Sequence, residues 1–426
     1  MRPERREGMD MGAGRLPGRA GRWLRRRLRK IFFRVLPRKS IYQRVRTPDF
    51  YSYDYFDRRK DPLRESGYGE ALTYREEFRE VAEVARDLFR PTRVLDVGCA
   101  KGFQVLALRR AGVEAWGIDI SDYAVSEAPA EVEPYLKVEE YHKVHFPDQY
   151  FDLVLAMEVL EHIPPTDIRK VVGELRRLTS RWIWATIPCF GTNPFGPDGC
   201  LEGKIQPERI SYYRKHVVDL ASFRHLVRDI EGYPIHGHLI AASFDWWTAL
   251  FTSLGFLRRG DLEMEVNRRL SPAREGTWNC LVFEKVREGS PASLEPVRLM
   301  EADFNSGGNC TWSATIPALP AGVHRLDLEL QVQWMNWRKP DEDRLLSVRC
   351  TSPGGDRVLG MRLVSYGEAR RRKSGRLLPV EMTLACPADT EVRMEVCMAD
   401  ESRVQPLLSV VGGSPSDLQP APQEPV

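Results

Sequence analysis

The sequence predicts a doubly wound α/β domain followed by an antiparallel β-sandwich. Three observations carry that expectation. Between residues 93 and 285, apolar runs of strand length alternate with segments of helical spacing, the pattern of a mostly parallel sheet covered on both faces. Beyond residue 296 the apolar period falls to two, as in half-buried strands without helices between them. Separating the two regions is Arg287 to Pro296, R-E-G-S-P-A-S-L-E-P, a linker by composition.

A chain of 426 residues has room for two or three domains. Five stretches are expected: a basic arm (1–48), the α/β domain (49–286), the linker (287–296), the β-sandwich (297–413) and a disordered Pro/Gln/Ser-rich tail (414–426). No apolar run reaches the roughly 18 residues of a membrane span. None of the eight cysteines stands in a CxxC pair, so neither a zinc site nor a disulfide framework is indicated. That usage suits a reducing, cytoplasmic setting. The net charge of +3 conceals an asymmetry: residues 1–48 hold 16 Lys and Arg against three acids, +13, which leaves about −10 for the remainder. Leu24, Leu28, Ile31 and Val35 share a helical face among arginines. Such an arm suits an anionic membrane at its inner face, and the same composition suits a solvated tail or a phosphate-bound one.

In the α/β domain, Tyr74, Phe78, Val81, Ala85 and Leu88 form a helical stripe. Strands are expected at Arg93–Val97, Ala115–Ile118, Tyr135–Val138, Phe151–Ala156, Trp182–Ile187 and Cys280–Lys285. In the second region Leu326, Leu328, Leu330, Val332 and Trp334 alternate with polar residues, and similar alternation recurs over 346–350, 380–386 and 392–398. There Trp334 should face the core, Trp337 is freer, and Arg370–Lys373 reads as a solvated loop. Glycan binding through exposed aromatics and a docking or oligomerisation role are both open for such a module.

The stretch V-L-D-V-G-C-A-K-G, Val94 to Gly102, reads as a buried strand, a glycine turn and a helix start, an arrangement that brings backbone N–H groups to a polar ligand. About 20 residues on, Gly117-Ile118-Asp119 ends a second strand at an acid able to accept from both ribose hydroxyls. A dinucleotide would want G-x-G-x-x-G. Here Asp96 precedes Gly98, and an acid at that mouth repels a pyrophosphate but suits a ligand with an ammonium and a sulfonium. That chemistry points to S-adenosyl-L-methionine.

With these residues in view, residues 68–286 resemble the class I S-adenosylmethionine-dependent methyltransferases, of the type linked with glycan assembly. Val94–Gly102 looks like the family's first motif and Gly117-Ile118-Asp119 its second; Phe146 to Val154 and Met157-Glu158-Val159-Leu160-Glu161-His162-Ile163-Pro164 follow in the family's order. The resemblance implies a Rossmann-like sheet in which Gly98, Ala100 and Gly102 line the methionine portion with Asp96 nearby. It implies further that Asp119 binds the ribose, Ile120 packs on the adenine, Glu140 reaches the adenine amino group and Met157 borders the sulfonium. Two departures stand out: Ala100-Lys101 replaces the usual Gly-Thr or Gly-Ser, and Glu140 replaces an Asp.

Methyl transfer from a sulfonium needs mostly in-line placement of the acceptor, plus a general base where the acceptor is a hydroxyl. The candidate bases are His162 and His238, with His236 beside the latter in a long insertion, Cys189–Phe256. Trp246 and Trp247, in the same insertion, would either select the acceptor or pack a helix onto the sheet. Glu158, Glu161 and His162, at i, i+3 and i+4, would share a helix face, yet a hard cation wants more oxygen ligands than that, and no metal is assigned. The expected activity is O-methylation of a sugar hydroxyl on a glycan or lipid-linked saccharide. The alternatives are a small-molecule or quinone-type O-methyltransferase and a non-catalytic protein that keeps the fold. Nucleic acid is not the expected partner, because no Asn/Asp-Pro-Pro-Tyr-type motif is present.

Overall fold

The computed structural model describes residues 50–57, 72–190, 193–195, 237–240, 242–270, 279–286, 305–307, 311–335, 339, 344–373, 377–388, 390–398 and 403–409. The basic arm, the linker at 287–296, the tail from 414, His236 and Trp337 lie outside them, as does the side chain of Trp334.

The α/β part is built on β1 (Arg93–Val97), β2 (Glu114–Asp119), β3 (Leu136–Val138), β4 (Phe151–Met157) and β5 (Thr179–Thr186). They pair in parallel in the order β3-β2-β1-β4-β5. Two short strands, β6 (Cys189–Phe190) and β7 (Ala242–Ser243), pair with each other apart from this sheet. Then β8 (Phe256–Arg259) and β9 (Cys280–Lys285) complete the α/β portion, with β9 antiparallel between β5 and β8. The order reverses at β1, whose neighbours are β2 and β4, so a crevice opens beyond the carboxyl ends of these strands.

Alternation along the strands explains why both faces are covered. Leu95, Val97, Val154 and Ile183 share a core with helices α5 (Ile168–Leu178) and α6 (Phe244–Thr252). On the opposite face Val94, Leu153, Leu155, Trp182 and Trp184 pack with α2 (Glu76–Val84), α3 (Phe103–Arg110) and α7 (Gly260–Arg269). Two shorter helices complete the α/β part, α1 (Tyr53–Phe56) and α4 (Asp122–Ser126). Trp247 is fully buried in the first of these cores, so it packs α6 onto the sheet.

The C-terminal strands are antiparallel: β10 (Asn305–Gly307), β11 (Thr311–Leu319), β12 (Gly322–Trp334), β13 (Arg344–Thr351), β14 (Arg357–Ser365), β15 (Leu377–Cys386), β16 (Thr390–Met398) and β17 (Arg403–Ser409). Five of them, β10-β11-β16-β13-β14, continue the α/β sheet, because β14 pairs with β8 through Arg357↔Arg259 and Val358↔Arg258. The other three form a sheet β15-β12-β17, and residues of both sheets share one core with Leu257 and Val286 of the α/β part. The basic run expected as a loop instead ends a helix, α8 (Tyr366–Arg372). Ser365 caps its start by accepting from the Glu368 N–H at 3.1 Å, and Arg370–Arg372 suit its negative end.

Two polar clusters lie where the two parts meet, the first within the α/β part and the second crossing to β13. Arg258, on β8, donates to both carboxylate oxygens of Glu263 at 2.8 and 2.9 Å, to Asn193 at 2.8 Å and to Thr248 at 3.1 Å. Nearby, Asp245 near the start of α6 accepts from Arg344 and Arg349 of β13 at 2.9 and 3.0 Å. Burial pushes the Asp245 carboxyl up, but the two guanidiniums outweigh it and hold it below the usual carboxylate range. Among the described residues, no helix is long and apolar enough to cross a membrane.

Candidate active site

The glycine turn follows β1 and owes its shape to three residues in the left-handed region. Gly98, Ala100 and Gly102 have φ of 72°, 47° and 74°. At Gly98 a Cβ would lie 2.5 Å from Val159 Cγ2, so only glycine fits there. The turn is tied to β2 by the Gly98 and Cys99 N–H groups donating to Ile118 O at 2.8 and 3.0 Å. Asp119 closes it from the other side: one carboxylate oxygen accepts from the Ala100 N–H and the other from the Ser121 N–H, both at 2.8 Å.

Above the turn is a cavity of about 300 Å³. Of the residues named from the sequence, Gly98, Ala100, Asp119, Ile120, Glu140, Met157 and His162 line it. Three other expected residues stand back from it. Gly102 serves the turn's geometry. Asp96, 4 % exposed, lies buried where the charge of Asp119 reaches it. His238 stands behind His162, with ring centroids 5.0 Å apart. Glu140 is exposed and pairs with His142 at 3.2 Å, whereas Tyr141 turns inward as a lining residue. Neither Trp246 nor Trp247 lines the cavity.

The electrostatics of the turn are those of two acids in a dry place. Burial, reinforced by the charge of Asp119, pushes the Asp96 carboxyl up to about 8. Burial also raises Asp119, to about 6, with the backbone N–H bonds pulling the other way. A cation placed here would be welcomed by both.

The segment after β4 does not form the helix face expected of Glu158, Glu161 and His162. Glu158 sits at a φ of 55°, and only Leu160–His162 coil, as a 3₁₀ turn. That geometry sends Glu161 and His162 toward His238 instead. Glu161 Oε1 lies 3.8 Å from Nε2 of each histidine, and Glu161 itself is fully buried. One donor atom from each of the three falls within 4.8 Å of the others, a carboxylate and two imidazoles of the kind that suits zinc or another borderline divalent ion.

Sequence reasoning missed one wall entirely. Residues 50–57, upstream of the α/β core, cross the mouth and present Tyr51, Tyr55 and Phe56 to the cavity. Tyr51 stacks edge-on to His162, centroids 6.1 Å apart, and burial with the nearby charges of Asp119 and Glu161 pushes its phenol well up. The available signal was the aromatic density of F-Y-S-Y-D-Y-F at residues 50–56.

Comparison with known proteins fits this geometry. Residues 95–181 match the family described as "Methyltransferase domain". Two curated relatives are ubiquinone biosynthesis O-methyltransferases. That of Aeromonas salmonicida is 32 % identical over 22 % of this chain and 43 % of its own length. That of Nitrosomonas europaea is 30 % identical over 24 % of this chain and 45 % of its own length. The chain thus spans less than half the length of these relatives. A solved SAM-dependent methyltransferase from Methanosarcina mazei shares 21 % identity over 45 % of this chain and 92 % of that one, at a TM-score of 0.31. The glycine turn and the two buried acids fall within the stretch that matches, so residues 95–181 carry a region similar to a methyltransferase domain.

Proposed function

We propose that the chain transfers the methyl group of S-adenosylmethionine to a hydroxyl of a small acceptor with an aromatic or quinol-like ring. The observation that carries this is the aromatic wall packed beside the glycine turn, where Tyr51, Tyr55, Phe56 and Ile163 line the cavity together with His162. An apolar, aromatic wall with one imidazole suits a flat ring bearing a hydroxyl better than a sugar, whose hydroxyls would want several polar partners. The two relatives are ubiquinone biosynthesis O-methyltransferases, which suits that acceptor class, and they align with only part of this chain.

In this reading Asp119 holds the ribose and the field of Asp96 and Asp119 holds the cationic methionine end, while His162 accepts the acceptor's proton. Glu161 behind it favours the imidazolium that results, and His238 shares that carboxylate. A divalent ion, where one is bound, would be held by Glu161, His162 and His238; it would take His162 out of the base role and would instead lower the pKa of the acceptor hydroxyl.

Calorimetry with S-adenosylmethionine on the wild type and on Asp119→Ala, followed by labelled methyl transfer with and without a chelator, tests the proposal. Binding to the wild type and methylation of catechol or polyprenylated phenol acceptors is the expected result. Methylation of extracted glycans alone would replace the acceptor class, and the +13 arm would then suit anchorage at an anionic membrane. No binding at all would leave a non-catalytic protein with the fold.

A further inference from the structure

The loop of this chain departs from its family's pattern at Lys101, and the structure gives that lysine a partner. Its Nζ donates to both carboxylate oxygens of Asp57 at 2.7 Å. Asp57 Oδ2 also accepts from the Tyr123 hydroxyl at 2.6 Å. The side chains of Lys101 and Asp57 are only 8 % and 11 % exposed. Burial alone would raise the Asp57 carboxyl, yet Lys101 and Tyr123 together hold it below the ordinary range.

This clasp sits at a particular place. Asp57 ends the segment 50–57 whose Tyr51, Tyr55 and Phe56 wall the cavity, while Lys101 lies within the glycine turn between Ala100 and Gly102. Tyr123 belongs to α4, which follows the ribose-side Asp119. A second fastening supports the first: Ser121 Oγ donates to Tyr51 O. Between these fastenings the aromatic residues pack on the turn itself, with Ala100, Tyr51, Phe56 and Ala124 in one cluster.

We propose that Lys101 is a positioning residue that fastens the aromatic segment 50–57 across the cofactor cavity through Asp57 and Tyr123. The segment closes over S-adenosylmethionine and forms the acceptor wall in one movement. Cofactor release then requires the Lys101–Asp57 pair to part. The inference rests on the cofactor reading above.

Stopped-flow measurement of S-adenosylhomocysteine dissociation from the full chain, with hydrogen exchange of residues 50–57, provides the test. The variants are Lys101→Met, Asp57→Asn, Tyr123→Phe and the conservative Lys101→Arg. Loss of a charged hydrogen-bonded pair should speed dissociation by about tenfold in the first two, and by less in Tyr123→Phe. Exchange over 50–57 should rise in step, with Lys101→Arg close to wild type. A cofactor that binds the wild type and leaves all variants at the same rate would overturn the role of Lys101 alone. A wild type that binds no cofactor would overturn the cofactor reading and this coupling together. Should Lys101→Met fold poorly, Tyr123→Phe decides: faster release supports the clasp, and an unchanged rate with unchanged exchange refutes it.

Discussion

At the seam between β8 and the C-terminal strands, Arg258 is 1 % exposed and meets the carboxylate of Glu263, while Asp245 meets Arg344 and Arg349. Beside the cavity Asp96 and Asp119 are almost as deeply buried, at 4 % and 5 %, but there one acid raises the other. Both regions bury charge at a cost in desolvation. In the first the chain supplies the opposite charge: Glu263 answers Arg258 within the α/β part, and Asp245 ties α6 to Arg344 and Arg349 of β13. In the second, among the described residues, no cationic side chain contributes to the balance, and the missing charge is one that a sulfonium and an ammonium carry. Buried charge compensated within the chain is a mark of architecture; two like charges held together mark a place for a ligand.

The sharpest way to break that contrast is to remove one charge from each region. Arg258→Met strands Glu263 and should cost about 3–5 kcal/mol of stability, read as a lower midpoint in urea. Asp96→Asn, nearly isosteric, should do the opposite to the unliganded chain and raise its midpoint at pH 8, while weakening S-adenosylmethionine binding about tenfold or more. If Asp96→Asn destabilised the chain and left binding intact, the acid would belong with the seam and not with a ligand.

The same contrast decides how much could be read in advance. The central strands were legible because their burial on both faces leaves near-continuous apolar runs, as in R-V-L-D-V and F-D-L-V-L-A-M. Strand β8 escaped because half of F-L-R-R is arginine, and Arg258 can be buried only where Glu263 meets it. The acids of the turn were legible from local order, Asp96 before Gly98 and Asp119 ending the next strand. The segment 50–57 was not, since its aromatics follow neither helical nor strand period. Its partners Lys101, Tyr123 and Ser121 lie 44, 66 and 70 residues away from the positions they hold. Glu158 was placed on a helix because its spacing allows one, but its left-handed backbone ends that possibility.

A pH series sharpens the comparison further. A carboxyl raised by folding stabilises the folded chain only while it keeps its proton. The raised values of Asp96 and Asp119, about 8 and about 6, therefore predict that the unliganded chain loses stability as pH climbs from the ordinary carboxylate value of 3.8 through about 8. Asp245, held low, runs the other way: its contribution is present above the ordinary value and fades as pH falls below it. Over pH 6 to 8 the midpoint of the wild type should fall and that of Asp96→Asn should stay flatter. S-adenosylmethionine should bind more tightly across the same window, as the acids ionise. A wild-type midpoint that rises from pH 6 to 8 would contradict the assignment.

The smallest effect is expected at Ala100, where the family's usual glycine is absent. Its φ of 47° is one that costs an L-residue about 1–2 kcal/mol. Ala100→Gly relieves that strain, but two terms oppose it. Glycine loses about 0.5–1 kcal/mol more in backbone entropy on folding. The methyl group, packed with Tyr51, Phe56 and Ala124, is worth about 0.8 kcal/mol in burial. The terms nearly cancel, so the stability read from the urea midpoint should move by no more than about 0.8 kcal/mol in either direction. What should change is local: with the methyl gone, residues 50–57 lose a contact on the turn, and their hydrogen exchange should quicken while that of β1 and β4 does not. A loss of more than about 2 kcal/mol would mean that the methyl contact, rather than the left-handed backbone, dominates at this position.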